Sequence, residues 1–216
     1  NDIDSYRVYG IFLAAILVGL IGYWVSGLYG RIAGIVSSAA FAAYPLFWSE
    51  SHFNTEKDIP ETVFGSLVLF SFWKGITKRS PKWILLSGVF FGFALGTKFN
   101  ILFIPFVLIP WTFFYLGFKG LQKNIRLIAK FFLSFLLGFL IFFASWPYLW
   151  ADPIERIGKV VGYYRNIGIT QKQDFNFIIL GINSYPLQWI TYTTPLIILF
   201  LSIFGILVSL RRLRND

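Results

Sequence analysis

Seven apolar stretches recur along the chain, over residues 8–28, 32–48, 60–75, 83–96, 101–118, 131–149 and 192–210. A helix that crosses a bilayer needs about 20 mostly apolar residues. The runs 8–28, 131–149 and 192–210 satisfy that alone. The runs 60–75 and 83–96 are short, so they either sit inside a bundle or cross at a thin point. Runs 83–96 and 101–118 are separated only by Thr97-Lys98-Phe99-Asn100. A hinge there makes two spans, whereas one long helix would put Lys98 in mid-membrane. Composition agrees with lipid-facing helices. Only 13% of the residues are charged and 56% are hydrophobic, against about 25% charged in soluble domains. An aromatic share of 21% also excludes disorder. The expected fold is an all-α polytopic membrane protein of about seven transmembrane helices.

Charge sets the expected orientation. Residue 31, the segments 74–82 and 119–130 and the tail 211–216 together hold 12 basic residues and one acid, Asp216. The intervening segments hold seven basic residues and nine acids. Because basic residues concentrate on the cytoplasmic side, the N-terminus is expected outside and the C-terminus in the cytoplasm. The formal charge of +9 then reads as anchoring to anionic membrane lipid, with no call for nucleic acid. The chain is expected to form a single membrane-embedded domain, 1–216, with outer loops at 49–60 and 150–190. It contains no Met and opens Asn1-Asp2-Ile3-Asp4, so it reads as a piece of a longer or processed protein.

Ionisable residues at membrane depth are costly and usually functional. One cluster lies between two apolar runs: Glu50, His52, Asn54, Glu56, Lys57, Asp58 and Glu61. Asp58 before Pro60-Glu61 also has the pattern of a helix start, where Lys57 beside the helix N-terminus would favour an anion such as phosphate. Lys98 stands alone between two apolar stretches. It either snorkels to headgroups or contacts a substrate phosphate. The long outer segment carries Trp146, Tyr148, Trp150 and Asp152. These rings suit an interfacial belt or a ledge for a sugar or acceptor.

Several chemistries are excluded. The chain has no Cys, so thiolate nucleophiles, thiolate metal sites and disulfides are impossible. His52 is the single His, which excludes a multi-histidine metal cluster. No cofactor is implied, although clustered carboxylates would permit a hard divalent cation. A phosphate-binding glycine loop, a nucleophile elbow, a voltage-sensor arginine repeat and a filter sequence are all missing. Secondary transporters, channel subunits and non-catalytic scaffolds remain open on these residues.

The order of several short pieces narrows this further. The run Gly27-Leu28-Tyr29-Gly30-Arg31-Ile32-Ala33-Gly34 is followed by Ala43-Tyr44-Pro45, then Lys57-Asp58-Ile59-Pro60. Next come Gly88-Val89-Phe90-Phe91-Gly92 through Gly96-Thr97-Lys98, Trp146-Pro147-Tyr148-Leu149-Trp150-Ala151-Asp152-Pro153 and Thr193-Thr194-Pro195. This series resembles the dolichyl-phosphate-mannose–protein mannosyltransferases. Those belong to the C-type membrane glycosyltransferases, which include the lipid A aminoarabinose transferases. The resemblance implies an integral enzyme of the plasma (inner) membrane. It would move a sugar from a polyprenyl-phosphate donor to an acceptor, whether protein, lipid or glycan, on the extracytoplasmic face, with inversion. It implies a carboxylate as base and a cation against the leaving phosphate. By motif, Asp58 takes the acidic position, with Glu50 a weaker catalytic candidate. Lys98 takes the basic position of the Thr-Lys pair, and Lys57 the basic residue before the acid. His52, Asn54, Trp146 and Asp152 are further substrate-binding candidates. The resemblance also implies an upstream span and outer loop with an acidic pair. Asp2 and Asp4 would then lie at the tail of that loop.

Overall fold

The computed structural model describes residues 3–170, 178–179 and 182–215. The described residues are helical apart from short joints and a two-residue antiparallel pairing, Ile178–Ile179 with Ile182–Asn183. Helices α1 (Ile3–Tyr29) and α2 (Arg31–Ala42) form a hairpin joined at Gly30 alone. Gly30 has φ +93°, a conformation that costs a side-chain-bearing residue of the usual hand. Helix α3 (Pro45–Phe53) follows, bent 59° from α2. Helices α4 (Asp58–Thr77) and α5 (Pro81–Thr97) make a second hairpin. A 3-10 turn, Phe99–Phe103, leads into α6 (Ile104–Lys123), and α7 (Ile125–Ser145) returns. Then come α8 (Pro153–Thr170), α9 (Tyr185–Thr193) and α10 (Leu196–Asn215).

Three stretches are long and apolar enough to cross a membrane: Arg7–Tyr29, Phe99–Lys123 and Ile125–Ser145. The number rises to five if the bent pairs α2–α3 and α9–α10 each count as one span. The expectation of seven is thus met in part. The difference lies in α4, which carries Asp58, Glu61 and Lys74, and in α5, which is only 17 residues long. Both helices are interior. Val68, Phe72, Ile76, Ile84, Phe91 and Leu95 from α4 and α5 form the main core with Phe131 and Phe142 of α7. A helix sheltered by its neighbours does not have to match the lipid in length or polarity.

Lipid tails are as apolar as leucine, so helices in a bilayer associate through close packing rather than hydrophobic transfer. The α5–α7 contact is built that way. Gly88 and Gly92 of α5 lie against Ser134 and Gly138 of α7. A methyl on Gly92 would stand 2.7 Å from the Gly138 carbonyl oxygen, and one on Gly138 would stand 2.9 Å from that of Gly88. The α1–α2 hairpin uses the same device, with Gly34 against Ser26 and Gly22.

The hairpins sort the charges to two ends. α4 and α5 run antiparallel, so Asp58 and Lys98 share one end while Lys74 and Lys78 share the other. α1 joins them: Gly10 packs on Thr55 at the acidic end, and Tyr23 lies beside Lys74 at the basic end.

Residues 49–60 are helical at both ends. α3 continues to Phe53 and α4 starts at Asp58, leaving four residues between them. Pro45, pre-set for the first turn of a helix, starts α3 in sequence that has no clean periodicity. The segment 150–190 is likewise largely helical, in α8 and α9. Its residues 171–177, 180 and 181 lie outside the described residues.

Candidate active site

Asp58 opens α4 and Glu61 follows one turn later, which puts both carboxylates on one face of the helix. Lys98 ends α5 in an extended conformation, φ −157° and ψ 137°. It is therefore the break between α5 and the 3-10 turn, and the hinge, not the single long helix, is what forms. Because the hairpin returns Lys98 to the start of α4, residues 40 apart in sequence meet. Lys98 Nζ donates to Asp58 Oδ1 at 2.6 Å and lies 3.4 Å from Glu61 Oε2. Asn54, the last residue before the α3–α4 joint, donates through Nδ2 to Asp58 Oδ2 at 2.8 Å. Both Asp58 oxygens are thus engaged, one by an ammonium and one by an amide.

Lys57 holds the cap position of α4, and the Asp58 carboxylate bonds Asn54 and Lys98. Of the two readings that the sequence left open, the carboxylate takes the inter-helix contact. The pair is open to solvent: Asp58 keeps 40% and Lys98 34% of the side-chain surface, against 17% for Glu61. At that exposure an ion pair adds about 1 kcal/mol of stability or less, so stability is a weak reason for this arrangement. The Asp58 hydrogen bond holds the Lys98 pKa above its ordinary value of 10.5 against the opposing effect of burial, and the Glu61 charge adds to the rise. Lys98 is therefore a fixed cation at physiological pH. An ammonium has three donors, and Asp58 and Glu61 use two at most.

The other candidates fall elsewhere. Glu50 lies on α3 with Oε2 buried and without a hydrogen-bond partner among the described residues. His52 stacks on Trp48 at 4.4 Å between ring centroids, and its Nδ1 lies 2.8 Å from the Trp48 carbonyl oxygen and 2.9 Å from Ser51 Oγ. Lys57 precedes α4 and is exposed. Asp58 and Glu61 set negative charge in the first turn of that helix, which already complements its N-terminal dipole.

Trp146 lies one residue beyond α7, packed on Phe99 and Phe142 at 6.0 and 5.4 Å. Phe99 adjoins Lys98, so this ring cluster begins where the charged cluster ends. Phe99, Trp146, Tyr148, Val160, Tyr163 and Tyr164, with Lys159, line a cleft of about 480 Å³. Asp152 does not reach either cluster. Its Oδ1 accepts from the Glu155 backbone N–H at 3.1 Å, capping the start of α8. The pattern Asp152-Pro153-Ile154-Glu155 already has the residues of a helix start.

Glu61, which has the sequence pattern of a helix-start residue, joins the cluster through Lys98. The signal was its spacing from Asp58, since residues three apart on a helix are neighbours. A divalent cation does not fit the carboxylates present. Among the described residues no group of three or more His, Asp or Glu converges, and Asp58 and Glu61 both face the Lys98 ammonium instead.

The geometry defines a helical protein with stretches long and apolar enough to cross a membrane and an acid–base cluster at one end of an interior hairpin. Residues 1–148 match the family model described as dolichyl-phosphate-mannose-protein mannosyltransferase. The chain belongs to this family of membrane glycosyltransferases. The matched stretch includes Asp58, Glu61, Lys98 and Trp146 and stops short of Asp152 and Thr193-Thr194-Pro195. No curated protein and no solved structure matches the chain.

Proposed function

We propose that this chain carries part of the active centre of an enzyme that transfers a sugar from a polyprenyl-phosphate donor to an acceptor hydroxyl. The observation that carries the reading is the Lys98–Asp58 contact, with Glu61 on the same ammonium. In such a transfer the acceptor oxygen attacks the anomeric carbon, the bond to the lipid phosphate breaks, and the sugar inverts. Negative charge builds on the departing phosphate. Lys98, cationic throughout and with a donor to spare, offsets it. The acceptor proton must go to a base. Asp58 is the exposed carboxylate beside the cation, and Asn54 fixes its second oxygen. Glu61, more enclosed, positions the Lys98 ammonium and is not the base.

The aromatic cleft next to Phe99 suits the face of a pyranose, whose C–H groups pack on rings while its hydroxyls find polar edges. In this reading Trp146 and Tyr148 hold the donor sugar or the acceptor next to Lys98. Glu50 and His52, on α3 before the same joint, are secondary candidates. The acidic end faces the extracytoplasmic side of the plasma (inner) membrane, the N-terminus lies outside, and α4 and α5 complete seven spans. The separation of acids and bases to opposite ends of the hairpins supports this orientation.

The test uses the natural full-length protein in proteoliposomes, with radiolabelled polyprenyl-phosphate sugars and candidate protein, lipid and glycan acceptors. Label moving to an acceptor supports the reading. Solute or ion flux without transfer would instead identify a transporter and sink it.

A further inference from the structure

The basic end holds a second cluster that the transfer reaction does not use. Tyr23, Trp24, Ser26 and Gly27 of α1, Arg31 at the start of α2, and Phe70, Trp73, Lys74 and Lys78 at the end of α4 line a cavity of about 540 Å³. Its three cations come from two places in the fold, the start of α2 and the end of α4, and no carboxylate lines it. Among the described residues none of the three makes an ion pair.

Lys74 is held in a fixed position. Its Nζ lies 4.2 Å from the Trp83 ring centroid, 5.3 Å from that of Phe70 and 5.4 Å from that of Tyr23. Rings around an ammonium steady the charge but supply no counterion. Three like charges around one cavity beside lipid raise one another's energy, and an anion between them would reverse that. Trp24 lines the cavity through its ring and packs on Phe70 and Trp73 at 5.3 and 5.5 Å.

We propose that this cavity binds the phosphate headgroup of an anionic membrane lipid. Arg31 matches phosphate oxygens with a bidentate fork, and Lys74 and Lys78 supply point charge. The rings of Tyr23, Trp73 and Trp83 sit at the depth where aromatic side chains meet headgroups. The site lies at the opposite end of the α4–α5 hairpin from Lys98, so it anchors the hairpin and takes no part in sugar transfer.

The test titrates the purified natural protein in neutral-detergent micelles with phosphatidylglycerol, phosphatidylcholine or inorganic phosphate, read by native mass spectrometry. Saturable phosphatidylglycerol binding is expected, with phosphatidylcholine far weaker and inorganic phosphate not competing at equal concentration. An Arg31→Gln/Lys78→Gln double variant should weaken phosphatidylglycerol by roughly tenfold or more. A Lys119→Gln/Lys123→Gln variant, which removes the same charge outside the cavity, should not. Equal loss in the two double variants would reduce the effect to general charge and overturn the site. Full competition by inorganic phosphate would overturn the assignment to lipid.

Discussion

Lys98 Nζ stands 2.6 Å from Asp58 Oδ1, at the point where the interior hairpin closes. A helix must stop for this to happen, and α5 stops at Thr97. The contact therefore depends on the backbone turning extended at Lys98. It is also the contact whose titration can be followed. Burial opposes the Lys98 charge, but the Asp58 hydrogen bond outweighs it and raises the pKa above 10.5. Because the folded value lies above the unfolded one, the stabilisation is complete below about 10.4 and is lost as pH rises through the folded value. Thermal unfolding of wild type and Lys98→Arg should therefore track each other up to about pH 10. Above that the wild type should fall away, since arginine keeps its charge. Parallel curves to pH 11.5 would show that the pair contributes nothing.

The glycine contact between α5 and α7 makes the sharpest prediction about the fold. Gly92→Ala would place a methyl 2.7 Å from a backbone carbonyl that has no flexible end to move aside. The cost should be about 1–3 kcal/mol, measured as resistance to denaturant in detergent. Gly19→Ala is the control: nothing lies within 4 Å of that position, so helix propensity alone should leave it neutral or up to about 1 kcal/mol more stable. Equal effects at both positions would contradict the packing.

Asp152, set among Trp146, Tyr148 and Trp150, reads in sequence as a substrate ligand, and in the structure its Oδ1 caps α8; the cap is the role expected here. Asp152→Ser keeps a capping oxygen and should retain transfer. Asp152→Ala should cost about 1 kcal/mol without changing the donor KM. Loss of transfer in the serine variant would restore the substrate role.

The sidedness of the membrane is tested separately. A reporter fused after Leu210 should register in the cytoplasm, and one inserted at Glu56, between α3 and α4, should register outside. The reverse pattern would overturn the orientation drawn from charge.

Much of this was legible in sequence, and the reasons are physical. Runs 8–28, 101–118 and 131–149 are apolar on nearly every side, so they gave α1, α6 and α7 directly. Asp58 and Lys98 stood out one at a time, as ionisable residues at the edges of apolar runs. Their meeting did not, because it needs the α4–α5 hairpin to bring positions 40 apart into register. Glu61 was hidden behind its role in starting α4. α4 and α5 resist counting as spans because interior helices are shaped by their neighbours and not by the bilayer. The cavity at the basic end was invisible for the same reason: Arg31, Lys74 and Lys78 look like ordinary positive flanks until α1 is packed beside α4.

If Lys98 and Asp58 work on the same substrate, steady-state sugar transfer in the full-length protein should respond to Lys98→Ala, Lys98→Arg and Asp58→Asn. Removing the cation should lower kcat by about 10²–10³-fold, with partial recovery in the arginine variant. Asp58→Asn should lower kcat by about 10²–10⁴-fold. Wild-type kcat and KM in both Lys98→Ala and Asp58→Asn proteins that remain folded would contradict the account.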